Sequence, residues 1–205
     1  MFDIIDSIRK STKRPIVILS NYRTGSTALA DEIHRFLFVH NFSEPHLDTE
    51  IFNELKNSLE SKHSNFVLKI MFTQINDFYQ EILNLDCFKI KLTRKDLIKQ
   101  ITSNYIAQIT NKWQREITDP IMEEYSLDIN YAYIHNSIDI ILNCDQASKN
   151  LDIKYDMELY YEDIKFNNIS VLKTIPPKNF REIELAIIKI IQLPQYEKYF
   201  TAGSL

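Results

Sequence analysis

Glycine is almost missing from this chain: Gly25 and Gly203 are the two in 205 residues. The one glycine-containing loop, in "PIVILSNYRTGSTALADEI" (15–33), has no Gly-Lys pair. That excludes a Walker A loop, which needs a lysine followed by Ser or Thr for phosphate and magnesium. Cysteine is equally sparse, and Cys87 and Cys144 stand apart without metal-like spacing, so both read as buried reduced thiols. No stretch approaches the roughly 20 apolar residues of a membrane span. The first residues, MFDIIDSIRKSTKR, are amphipathic but too charged for a secretory h-region, so the expectation is a soluble, cytoplasmic protein. A net charge of −4 speaks against a nucleic-acid binder, although it leaves room for a basic pocket around a small anion. No internal repeat or Gly/Ser/Pro-rich linker divides the chain, so residues 1–205 read as one domain.

Short β-branched runs alternate with longer helical patterns, which predicts an α/β protein: a three-layer α/β/α, P-loop-like fold with a mainly parallel sheet. Strands are expected at 15–20, 65–72, 87–93 and 153–164. Helices are expected from Ser26, over 47–61, 74–85, about 96–116, 134–151 and 179–193. In "SNYRTGST" (20–27) a strand delivers the chain to a helix N-terminus, where free N–H groups and the helix dipole favour an anion. Gly25 permits close backbone approach, and Ser26 and Thr27 add hydroxyls. Read alone, the loop suits an anion cradle and a plain Ser-capped turn about equally.

Further segments shift the balance. "YRTGST" resembles the 5′-phosphosulfate loop of sulfotransferases that use 3′-phosphoadenosine 5′-phosphosulfate (PAPS), especially the bacterial trehalose (lipopolysaccharide) sulfotransferase-like and carbohydrate sulfotransferase group. That group's loop reads PRSGST; here Tyr22 and Thr24 replace its proline and first serine. "LTRKDLIKQITSNYIAQITNKW" (92–113) is similar to the family's 3′-phosphate segment, with Arg94, Asp96, Gln100, Ser103 and Trp113 in register. "FVLKIMF" (66–72) resembles the F-G-x-K-x-M-W strand. Its Lys69 reads either as a cation near the transferring sulfuryl group or as a lysine reaching out to water. "LYYEDIKFN" (159–167) is similar to the Y-E-D-L segment, in which the tyrosine, here Tyr161, contacts adenine; Glu162 and Asp163 read as structural holders of the turn. The motifs follow the family's order over roughly residues 14–166.

The resemblance implies PAPS as co-substrate, PAP (adenosine 3′,5′-bisphosphate) as product, a hydroxyl acceptor of carbohydrate type, and no metal. Arg23, Thr24, Gly25, Ser26, Thr27, Lys69, Arg94, Ser103 and Tyr161 would bind PAPS, with Arg23 also stabilising charge during transfer. The cytosolic members' histidine base falls on Met71, whereas "NFSEPHLDTE" (41–50) resembles the Glu-Pro or Pro-Glu-Glu stretch where carbohydrate sulfotransferases keep a catalytic glutamate; that makes Glu44 the candidate general base, with His46 as its competitor and Asp48 read as a cap. Nothing matches the cytosolic R-K-G loop, and Lys178 or Arg181 is left to substitute for it. Relatives of this group often dimerise, which leaves a homodimer open. The rival readings are a P-loop-like small-molecule kinase using ATP-Mg²⁺ and a non-catalytic nucleotide-binding relative.

Overall fold

A computed structural model describes residues 2–11, 14–43, 45, 49–61, 65–113, 115–116, 125–165, 171–172 and 176–200. The chain forms two compact units, each assembled from two stretches: Met1–Lys95 with Ala147–Ile169, and Asp96–Gln146 with Ser170–Leu205.

The first unit carries a five-stranded, all-parallel sheet of order β2-β3-β1-β4-β6, with β1 (Ile16–Ser20), β2 (His40–Ser43), β3 (Phe66–Met71), β4 (Phe88–Thr93) and β6 (Met157–Tyr160). The apolar runs of β1 and β3 are buried throughout, so the centre of the sheet is covered on both faces. This is the α/β/α class that the alternation of segments predicts. One face packs Ile16, Ile18, Val67, Ile90 and Leu92 against Ile5 and Ile8 of α1 (Phe2–Ser11) and Leu29 and Ile33 of α2 (Ser26–Leu37). Two more helices precede strands in this unit: α3 (Thr49–Glu60) before β3, and α4 (Asp77–Leu83) before β4. Asn76 caps α4 by accepting from the Tyr79 N–H at 3.1 Å.

The second unit contains α5 (Leu97–Thr110), most of α6 (Tyr131–Lys149), α7 (Phe180–Ile191), and a small antiparallel pair, β5 (Arg115–Glu116) with β7 (Val171–Leu172). Asp96 caps α5 through the Lys99 N–H at 2.9 Å. Tyr105 donates its hydroxyl to the Asp128 carbonyl and accepts from the Asn130 N–H, fixing the approach to α6. Asn179 pairs with both backbone groups of Leu127.

Several boundaries differ from the sequence expectation. β2 is absent from it because a sheet-edge strand reading His-Asn-Phe-Ser buries Phe42 but shows no apolar run. The helix expected to reach 116 stops at Thr110, where Asn111 turns left-handed at φ 53° and ends it. The strand expected over 153–164 narrows to four residues, since only 157–160 align with β4. No described helix is long and apolar enough to cross a membrane.

Both cysteines are buried thiols, as expected. Burial pushes the Cys87 thiol above its usual pKa, which disfavours the reactive thiolate. A charged thiol reagent at pH 8 is therefore expected to leave the native protein unmodified and to label both cysteines after denaturation. Rapid labelling of Cys87 in the native state would contradict this burial.

Candidate anion site at the carboxyl ends of the strands

Parallel pairing sets Ser20, the last residue of β1, beside Met71 of β3 and Leu92 of β4. The chain then turns through Asn21–Gly25 into α2. It does so where the sheet changes direction, because β3 and β4 flank β1 on opposite sides. Open α/β sheets bind ligands in that crevice.

Asn21 organises the turn. Its side-chain oxygen accepts from the Tyr22 N–H at 2.7 Å, and its carbonyl accepts the Thr24 hydroxyl at 2.9 Å, with Thr24 fully buried. Gly25 precedes α2 in the left-handed region, φ 74° and ψ 19°, a conformation in which a Cβ is unfavourable. Its carbonyl accepts the Leu29 N–H at 3.0 Å, the first bond of the helix. Gly25 has no side chain to cap the first turn, and that turn holds no acidic residue. The positive end of the helix dipole therefore meets no carboxylate of its own first turn.

Cations gather at this loop. Lys69 interrupts the apolar β3, and with 3% exposure it does not reach out to water. Its ammonium donates to Thr27 Oγ1 at 2.9 Å, tying β3 to the first turn of α2. Because the Thr27 oxygen accepts there, its own proton is available to a further acceptor. Arg94 follows β4 and donates from Nη1 to the Arg23 carbonyl at 3.2 Å. Its guanidinium lies over the Tyr161 ring, 4.9 Å from the centroid. Arg94 Nε is buried without a hydrogen-bond partner, and Glu162 Oε1 stands 3.6 Å away, beyond hydrogen-bond reach. Burial, and then the charge of Arg94, hold the Arg23 guanidinium below the usual arginine pKa. Arg23 also has a left-handed backbone, φ 59°, which costs a non-glycine residue about 1–2 kcal/mol. Crowded, desolvated cations beside an uncapped helix start suit a multiply charged anion.

Tyr161 to Asp163 form the turn after β6. Glu162 Oε2 accepts the Lys95 N–H at 3.0 Å, and Asp163 takes the Lys95 ammonium at 2.8 Å on each oxygen. These two carboxylates clamp the ends of β4 and β6 together, the turn-holding part read from the sequence.

The first unit thus brings together Arg23, Thr24, Gly25, Ser26, Thr27, Lys69, Arg94 and Tyr161. Ser103 sits half-buried on α5 and Trp113 is largely exposed beyond it, both in the second unit. Arg181, also in that unit, pairs with Glu184 at 3.0 Å. Glu44, His46 and Asp48 lie outside the described residues. Of the other histidines, His34 bonds the Val39 carbonyl, His135 bonds the Tyr196 hydroxyl, and His40 pairs with Glu54. Sequence reasoning missed Asn21, although an asparagine at the start of a turn is a recognisable signal. No known family model matches the chain, and no curated protein matches it either, so the chemistry of these residues carries the functional reading.

Proposed function

We propose that the protein is a sulfotransferase that moves a sulfuryl group from PAPS to a hydroxyl acceptor, of carbohydrate type by the sequence resemblance. The observation that carries this reading is the lysine-free loop of Arg23 to Thr27, into which β3 sends Lys69 and β4 sends Arg94. A Walker loop holds its lysine within the loop beside a magnesium-binding hydroxyl. Here the loop keeps an arginine, and the ammonium arrives from a neighbouring strand.

The residues suit such a co-substrate: an uncapped helix start, Thr27 with a proton to give, and Arg23 crowded by like charge. PAPS supplies a sulfuryl group already activated by its phosphate leaving group. Loop amides with Ser26 and Thr27 bind and orient the phosphosulfate. Arg23 and Lys69 stabilise the negative charge that grows on the departing and equatorial oxygens, which is electrostatic and positioning work. Arginine keeps its proton, so Arg23 is no acid catalyst. Tyr161 offers an aromatic face for the adenine, backed by Arg94. A general base on the acceptor hydroxyl is assigned to Glu44 or His46.

Calorimetry or thermal shift with adenosine 3′,5′-bisphosphate against ATP-Mg²⁺ tests the proposal. Saturation at about 100 times Kd stabilises by about 2.7 kcal/mol, so the bisphosphate is expected to raise the melting temperature by several degrees. Stabilisation by ATP-Mg²⁺ with none from the bisphosphate would overturn the reading in favour of a kinase.

A further inference from the structure

We infer that Glu162 is a positioning residue that acts through Arg94 to hold the backbone of Arg23, and with it the anion loop, in its binding conformation. The inference rests on the loop being an anion site, as proposed above, but not on PAPS being the anion.

The contacts form a chain. The Lys95 N–H fixes Glu162 Oε2 at 3.0 Å, so the carboxylate is anchored to the backbone just after β4. Its other oxygen faces Arg94 Nε at 3.6 Å, and the Tyr161 ring supports the same guanidinium from its face. Held from these two directions, Arg94 directs Nη1 to the Arg23 carbonyl. That carbonyl belongs to the one non-glycine residue of the loop with positive φ. A strained left-handed arginine persists only where its surroundings hold it, and the Arg94 bond is such a hold. Without it, Arg23 would relax toward negative φ and swing the following amides away from the anion.

The consequence runs against simple electrostatics. Glu162 is a negative charge near an anion site, so a bystander carboxylate would weaken binding and its removal would tighten it. A positioning carboxylate gives the opposite sign. Arg94 also matters here for an anion that carries no second phosphate for it to touch.

Inorganic pyrophosphate, followed by calorimetry, is the probe. Glu162→Gln is expected to weaken its binding about 5–10-fold in the otherwise native protein, and by less than about twofold in an Arg94→Lys background, because coupled residues are non-additive. Asp163→Asn breaks the neighbouring ion pair of the same turn without reaching Arg94, and is expected to change binding by less than about twofold. Unchanged or tighter binding by Glu162→Gln, an equal loss in both backgrounds, or an equal loss in Asp163→Asn overturns the inference. So does a native protein that binds no pyrophosphate. If the pyrophosphate pattern holds while adenosine 3′,5′-bisphosphate fails to bind, the sulfotransferase reading falls and the role of Glu162 stands.

Discussion

Replacing Arg23 by methionine is expected to lower kcat for transfer from PAPS by about 100-fold or more, while raising the melting temperature of the ligand-free protein. The first effect follows from removing a preorganised cation from charge that grows in the transition state. The second follows from the state of that cation without ligand: partly desolvated, beside Arg94, and with its folded pKa lowered by both. A base whose folded pKa is lowered binds its proton less readily in the native state. Folding is therefore opposed at every pH below that value, and the penalty lifts only as pH rises through it. For an arginine the window lies far on the alkaline side, so the gain in Arg23→Met should be the same at pH 6 and pH 9. Transfer at the native rate would remove the electrostatic role of Arg23. A lower melting temperature would show that its charge is not a burden on the fold.

Lys69→Met carries the second large effect, a loss of about tenfold or more in affinity for adenosine 3′,5′-bisphosphate with the fold intact. Lys69 is buried in the middle of β3, and methionine fills similar space without a charge. Buried charges often cost stability on balance, so the variant should melt no lower than the native protein. What it loses is the ammonium on Thr27, a charge-assisted contact at the first turn of α2. Calorimetry with the bisphosphate reads the affinity, and a melting curve reads the fold. Native affinity in a folded Lys69→Met protein would confine the lysine to packing.

The strands were legible wherever burial imposes a run. β1 and β3, covered on both faces, read as unbroken apolar stretches, and β4 alternates because Phe88, Ile90 and Leu92 are buried while Lys89, Lys91 and Thr93 are half-exposed. At the edge of the sheet that signal fades: β2 buries Phe42, and its identity as a strand depends on pairing with β3. Helix ends were less legible than helix bodies. Asn111 stops α5 by a single left-handed residue that periodicity does not register.

The sequence by itself determined the α/β class and the strand–loop–helix at 15–33, because apolar runs, a glycine at the turn and hydroxyls after it are local properties. It could not say which cations stand beside a loop that has no lysine of its own. Tertiary structure decided that: parallel register brings Lys69 of β3 onto Thr27 and sets Arg94, at the end of β4, against the Arg23 carbonyl. Residues 42 and 71 positions apart in sequence meet because neighbouring strands end together, and that alignment belongs to the sheet as a whole.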